Sequence, residues 1–471
     1  EELCSDKYEG RQTGSEGCTL ASVYIANKFK EYGLSPAGDD GTFYQNYTIP
    51  YWNAIPPLSF SLLDNEGNIT KNFSYAQDFN VLPFSGKGEI KGSLVFAGYG
   101  LTIPEANYDD YQGINVKGKI ALIIRRGPSY LDAYEKHFYF QTKVENAQNH
   151  GSIGLIVIEH PDVKDDTMVK SKSVSGKAGG IPSLFVSTEV GNLFLKEKGL
   201  TVEDLKEKID NTQNPNSFVL SSKVQIEVNI DYDEARKVSN VLGYLPGDDP
   251  VSKSNTIIIG AHYDHLGKDP AGEIYRGAND NASGVSGVLE IARVFHECQV
   301  KPKENILFAC WSGEEEGLYG SFYYVEHPLF PLSGTTDLNL DMIGAKTGNL
   351  VMCIDKRYST LYKTSKKAIE DLELSVKESG VGMGSDHAPF HLKGVPNLFF
   401  IWGGPSPWHQ LSDLPNLINP DSLDVTSSLT SLITLRHSKP FFLVLTSPLS
   451  EVTYYPKIKI EGQTSIDSEV Y

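Results

Sequence analysis

The sequence predicts an α/β protein: a mostly parallel mixed sheet sandwiched by helices, with a β-rich module inserted ahead of it. Three observations carry this. From Val238 onward, continuous apolar runs alternate with amphipathic stretches, the pattern of buried parallel strands covered on both faces. Between about Lys87 and Asp231 the apolar runs are short and are cut by Gly, Pro or charge, as in a compact unit with its own core. Acidic and histidine residues gather where the later apolar runs stop, and sheets of this class build their sites at the carboxyl ends of strands.

The first element is a helix over roughly Gly17 to Tyr32. Leu20, Val23, Tyr24, Ala26, Phe29 and Tyr32 give it an apolar stripe, and Gly33 ends it. From Phe43 to about Leu82 the chain reads as short strands and loops. In the module, GSLVFAGYG, GKIALIIRRG, SIGLIVIEH and IPSLFVS are strand candidates, Phe140 to Asn149 is a helix, and the charged stretch Asp162 to Lys177 is an exposed loop. His137, His150 and His160 lack acidic partners at ligand spacing, so the module carries no catalytic constellation. Strand candidates then follow at Asn255–Ala261, Asn305–Trp311, Leu338–Asp341, Leu350–Ile354 and Asn397–Trp402. Between them, Val285, Val288, Leu289, Ala292 and Phe295 mark a helix over Ser283 to Phe295. Leu361, Ala368, Ile369 and Leu372 mark another over Ser359 to Leu372. The Ser/Thr- and Tyr-rich tail reads as an edge strand or as disorder. These readings divide the chain at 1–86, 87–235, 236–440 and 441–471.

The net charge of −18 disfavours nucleic acid and anionic membrane as partners, since both need a basic patch. No stretch approaches the roughly 18 apolar residues of a membrane span. Of the five cysteines, Cys298, Cys310 and Cys353 lie in or beside apolar runs and read as buried free thiols. Cys4 and Cys18 are near enough in sequence to pair in an oxidising compartment. The chain starts at Glu1 without methionine, as if a leader had been removed or never included. Asn46, Asn68, Asn72 and Asn281 head N-x-S/T sequons. A glycan on Asn281 would obstruct the site described next, and that sequon is treated as coincidence.

The residues that carry chemistry are His262 and Asp264 in AHYDHLG, Asp280 in GANDNASG, Glu314 and Glu315 in WSGEEEGLYGS, Asp341 in LNLDMIG and His409 in PWHQLSD. Two imidazoles and several carboxylates suit a pair of borderline-to-hard cations such as zinc. His262 and Asp264 stand two positions apart on one face of a strand, so one can ligate while the other fixes the ring's tautomer. Asp280 has two oxygens and can bridge ions ~3.5–4 Å apart, the spacing of two-metal hydrolases. Glu315 and Asp341 would each complete one side, and His409 would supply the second imidazole. Glu314, next in chain to a ligand, is placed to act as a base on an activated water.

These residues resemble the co-catalytic di-zinc aminopeptidase family, whose relatives include glutamate carboxypeptidases, glutaminyl cyclases and transferrin receptors. The resemblance covers about Ser239 to Leu423, and Gln410 stands where the family's late histidine is followed by threonine, while Asp413 keeps its place. It implies a zinc sandwich-fold exopeptidase with two Zn2+ per chain, ligands His262, Asp280, Glu315, Asp341 and His409, with Glu314 as base and Asp264 supporting His262. His387 in GSDHAPF is the rival for the last ligand, and His265 is taken as orienting or merely polar. The middle module resembles the protease-associated domain often inserted in this family, which would make the first and third segments one peptidase domain. The resemblance further implies peptide substrates and export, periplasmic or secreted, from a bacterium. Alternatives are a glutamate-carboxypeptidase-like or dipeptidase activity, for which Arg276 and Arg357 are available to hold a carboxylate, a glutaminyl cyclase, and a non-enzymatic binding protein.

Overall fold

The computed structural model describes residues 1–163, 169, 172, 178–249 and 254–438. These divide into two units. The first comprises 1–48, 237–268 and 274 onward, the second 49–236 with 269–273. The second unit thus takes in 49–86 as well as the region from 87. The 441–471 tail and most of the 162–177 loop lie outside the described residues.

In the first unit every residue of Thr256–His262 and Asn305–Trp311 is buried. Both faces of these strands are covered, which is why their sequences run apolar instead of alternating. They form the centre of a parallel set in the order Asn397–Gly403, Thr335–Leu340, Thr256–His262, Asn305–Trp311. Ile259 stands opposite both Phe308 and Leu338. Asn349–Ile354 adds antiparallel to Asn397–Gly403 and carries Val376–Ser379 parallel to itself, while Val241–Leu245 closes the other side antiparallel to the Asn305 strand. The strands read from sequence therefore exist, with Asn305–Trp311 unchanged and the ends of the others shifted by at most three residues.

Helices Glu16–Glu31, Ser283–Glu297, Ser359–Asp371 and Pro420–His437 share one large core through Ile25, Phe29, Val288, Ile291, Leu361, Leu429 and Ile433. Burying each such side chain contributes about 1.5–3 kcal/mol. The opposite face carries a smaller core of Ile258, Leu307, Trp311, Tyr324 and Phe390, supplied by helices Tyr319–Glu326 and His387–Leu392. Pro420–His437 is not among the helices read from sequence, because its buried face is largely hydroxylated. Thr426, Thr430 and Thr434 each return their hydroxyl to the carbonyl four residues back at 2.8 Å, so they can be buried with no polar atom left over.

In the second unit Gly88–Ala97, Ile120–Ile124, Gly154–Ile158 and Ser183–Val186 lie parallel in that order, and Phe79–Val81 adds antiparallel at Ser183–Val186. Helix Phe140–Asn149 is where the sequence puts it; Thr188–Leu195 and Val202–Thr212 are additional. Tyr44–Leu63 is one long strand, not short strands and loops. Its prolines disguise it, yet Gln45, Tyr47, Ile49 and Tyr51 are buried in alternation straight past Pro50.

Lys143 and Asp110 are fully buried in this unit. The Lys143 ammonium donates to the carbonyls of Arg126 (2.6 Å), Ile124 (3.3 Å) and Tyr99, and burial draws its pKa down to about 7. Asp110 accepts from the N–H groups of Tyr99 and Leu101 (both 3.0 Å) and from the Tyr108 hydroxyl (2.8 Å), and burial draws it up to about 7.

Cys4, Cys18, Cys310 and Cys353 are buried free thiols, and Cys4 and Cys18 are unpaired. Cys298 is exposed, contrary to its reading as buried. It follows the last residue of helix Ser283–Glu297, where the chain turns outward through Gln299 at φ 52°. Among the described residues no helix is long and apolar enough to cross a membrane.

Candidate metal centre

The four central parallel strands end on one edge of the sheet, and each delivers a polar residue there. His262 is the last residue of its strand, Glu314 and Glu315 lie just past Trp311, and Asp341 follows Leu340. The chain leaving Gly403 comes to His409, held in the left-handed region at φ 57°.

Asp280 arrives differently, from the tight turn that opens helix Ser283–Glu297. The Asp413 carboxylate accepts the N–H groups of Asn279 (2.9 and 3.1 Å) and Asp280 (3.0 Å) and so grips this turn from outside. From inside, Asn281 accepts from Gly284 (2.8 Å) and Met342 (3.2 Å) and donates to the Leu340 carbonyl (3.0 Å). Asn281 is fully buried, which rules out a glycan at its sequon in the folded chain. Gly284 is required here because a Cβ would sit 2.3 Å from the Leu340 oxygen.

The side chains form two groups around Asp280. His262 Nε2 lies 3.3 Å from Asp280 Oδ1 and 3.4 Å from Asp341 Oδ1. His409 Nε2 lies 3.5 Å from Asp280 Oδ2 and 2.8 Å from Glu315 Oε2. His262, Asp280 and Asp341 offer ligand atoms all within 4.8 Å of one another, and so do His265, Asp280 and Glu315. His265, ranked below the others from sequence, has its Nδ1 2.7 Å from Glu315 Oε1. His387 is in neither group. It bonds to the Val381 carbonyl at 2.9 Å, and its ring stacks on Phe399.

The surroundings orient these groups. Asp264, with no exposed surface, lies with Oδ1 3.8 Å from His262 Nδ1. Its oxygens accept from Thr13 Oγ1 (2.9 Å), Glu314 N (3.3 Å) and Glu315 N (3.2 Å), so one carboxylate ties the histidine strand to the Glu314–Glu315 loop. Ser385 Oγ donates to Asp341 Oδ2 at 2.8 Å. The Arg11 guanidinium is fully buried and donates to the carbonyls of Tyr263 (2.8 Å), Arg276 (2.9 Å) and Gly277 (2.9 Å), gathering the two loops that flank the centre. Sequence reasoning missed Arg11, Thr13 and Ser385. GRQTGSEG was legible as an opening segment, but nothing in it shows contacts some 250 residues away. Arg276 pairs with Asp6, and Arg357 is spread on the surface beside Asp355, so neither belongs to these groups.

So many buried acids raise one another's proton affinity. Asp280 is shifted upward by burial and then by Glu315, and Glu314 well upward by burial, with His262 opposing. Burial works against Glu315 as an anion too, but His409 and His265 outweigh it and hold it well below the usual carboxylate range. A buried set of imidazoles and carboxylates with a shared central aspartate fits two divalent ions of the zinc class, whose charge would relieve this repulsion.

Residues 240–434 match the model of Peptidase family M28, and residues 90–194 match the PA domain. Among curated proteins, aminopeptidase YwaD of Bacillus subtilis is 29% identical over 68% of this chain and 63% of its own length. A glutamate carboxypeptidase 2 homolog of Caenorhabditis elegans is 25% identical over 88% of this chain and 64% of its own. The chain thus spans somewhat under two thirds of these relatives. Among solved structures, an aminopeptidase from Aneurinibacillus sp. strain AM-1 superposes with a TM-score of 0.64, at 23% identity over 97% of this chain and 96% of that one. The zinc aminopeptidase BSAP of Bacillus subtilis gives 0.62, at 22% identity over 92% and 91%. These superpositions establish a shared fold.

Proposed function

We infer that this chain, whose residues 240–434 belong to peptidase family M28 and whose residues 90–194 are a PA domain, is a zinc-dependent exopeptidase that removes the N-terminal residue from peptides. The observation that carries the reading is the double use of Asp280, one oxygen toward His262 and the other toward His409. His262, Asp280 and Asp341 would hold one zinc, and Asp280, Glu315 and His409 the other. Bound zinc supplies Lewis acidity, acidifying a water and polarising the scissile carbonyl.

The chain's own residues do the rest. Glu314 takes the proton of the attacking water and hands it to the departing amine, a role that suits a buried carboxylate with raised proton affinity. Asp264 fixes the His262 ring through its backbone carbonyl, 3.3 Å from Nδ1, and its carboxylate holds the loop that carries Glu314 through two backbone N–H groups. His265 sits on Glu315 Oε1 and leaves Oε2 to His409, so it orients the ligand rather than replacing His409.

The test is to incubate zinc-loaded protein with a defined peptide mixture, with and without chelator, and to follow products by mass spectrometry. Chelator-sensitive loss of single residues from free N-termini, sparing acetylated peptides, is expected. Loss from C-termini would replace this reading with the carboxypeptidase one, for which the Caenorhabditis relative is the precedent by name. Ammonia loss from N-terminal glutamine would replace it with a cyclase.

A further inference from the structure

Leu338 and Leu340 turn into the large core, so Asp337 and Asn339 project from the other face of their strand. In the parallel register Asp337 stands beside Asn397, and Asn339 beside Gly260. Asp386 comes down on this face through Ser385, which Asn339 Nδ2 bonds at 2.8 Å. Asp337, Asn339 and Asn397 have no exposed surface, and Asp386 is 1% exposed.

Hydrogen bonding fixes which way the amides point. The Ser385 hydroxyl gives its proton to Asp341, so it must receive Asn339 Nδ2, and Asn339 Oδ1 faces away from it. Asn397 Nδ2 is committed to the Val395 carbonyl at 2.8 Å, which can only accept. Among the described residues five buried oxygens then have no donor: both of Asp337, Oδ1 of Asn339 and of Asn397, and Oδ2 of Asp386. The buried side-chain donors of that face left uncommitted among the described residues are all neutral: Trp311 Nε1 and the hydroxyls of Tyr324 and Thr256. No Lys, Arg or His among the described residues acts on Asp337; its charged neighbour is Asp386, of the same sign. A carboxylate in that position must be neutralised.

We propose that Asp337, Asn339, Asn397 and Asp386 bind a monovalent alkali cation, sodium or potassium, beneath the sheet. Oxygen-only donors select a hard cation. The charge is single because Asp386 also faces the metal centre, where it acts on His262 and Glu314, which leaves one uncompensated carboxylate at Asp337. The oxygen set rests on the sheet and its covering helices, and only the single charge draws on the metal centre, so the site is tested separately from the peptidase reading. Through Asn339, Ser385 and Asp341 it is nevertheless joined by hydrogen bonds to the metal centre.

The test uses the full chain, zinc-loaded and dialysed into choline chloride, then titrated with sodium or potassium chloride at constant ionic strength. The thermal midpoint is expected to rise saturably by at least about 2 °C. Asp337→Asn should abolish that rise and, in choline, should match or exceed the wild-type midpoint. A flat profile in the wild type means that Asp337 carries a proton and overturns the proposal. A response to calcium alone overturns it too, as does one that survives in Asp337→Asn. If that variant does not fold, wild-type crystals soaked in rubidium decide: an anomalous peak bonded to Asp337 sustains the site, and its absence there removes it.

Discussion

Under the proposed function Glu314 is the general base, and Glu314→Gln separates base from ligand. Turnover should fall about 10²–10⁴-fold while zinc content is unchanged; activity near wild type would take the role from Glu314. The two histidines near Glu315 separate in the same way. His409→Ala should retain one zinc of two by elemental analysis, and His265→Ala should retain both with weakened affinity; the reverse pattern would exchange their roles. Thr13→Val keeps the shape but removes the hydroxyl that holds Asp264, so zinc affinity should fall roughly 10–100-fold with the fold intact. At this scale the sequence exposes residues whose type is unusual for their setting. His262, Asp280, Glu315, Asp341 and His409 could all be named because acids and imidazoles at the ends of apolar runs ask for an explanation. Thr13 and Arg11 could not, because a threonine and an arginine in a polar opening segment are ordinary until their partners are seen.

Among the elements, the opening of helix Ser283–Glu297 is a tight junction. Gly284→Ala would force the helix off the Leu340 carbonyl, costing about 1–3 kcal/mol and displacing Asp280, read as a lower denaturation midpoint together with lower zinc content. The buried pair in the second unit makes stability depend on pH. Lys143 titrates near 7 when folded and near 10.5 when unfolded, so between those values the unfolded chain holds the extra proton and stability rises with pH. Asp110 does the opposite from about pH 4 to 7, where the folded form holds the proton and stability falls as pH rises. Denaturant unfolding should therefore show a minimum near neutrality, and Lys143→Met should remove the alkaline limb. Strands and amphipathic helices were legible where burial left a long period in the sequence, as in Asn305–Trp311 or Ser283–Glu297. Several elements were not, and two of them show why. Tyr44–Leu63 is interrupted by prolines on its outward side, and Pro420–His437 buries threonines that satisfy themselves, so neither shows an apolar stripe.

For the whole molecule, the excess of 18 negative charges sets a long-range field. Basic peptides should be drawn in and acidic ones held off, so kcat/KM for lysine- or arginine-rich substrates should fall as salt is raised from about 0.01 to 0.15 M, and that for acidic ones should rise. Equal salt response for both would mean that the charge lies away from the approach route. The groups around Asp280 are drawn from position 262 through to position 409, and Thr13 props Asp264 from near the start of the chain. During synthesis, therefore, a ribosome must release almost the entire described chain before a complete pocket can exist. If the chain is the peptidase proposed, truncated translation products would be inert towards neighbouring peptides, and the order of manufacture itself would act as a safety catch.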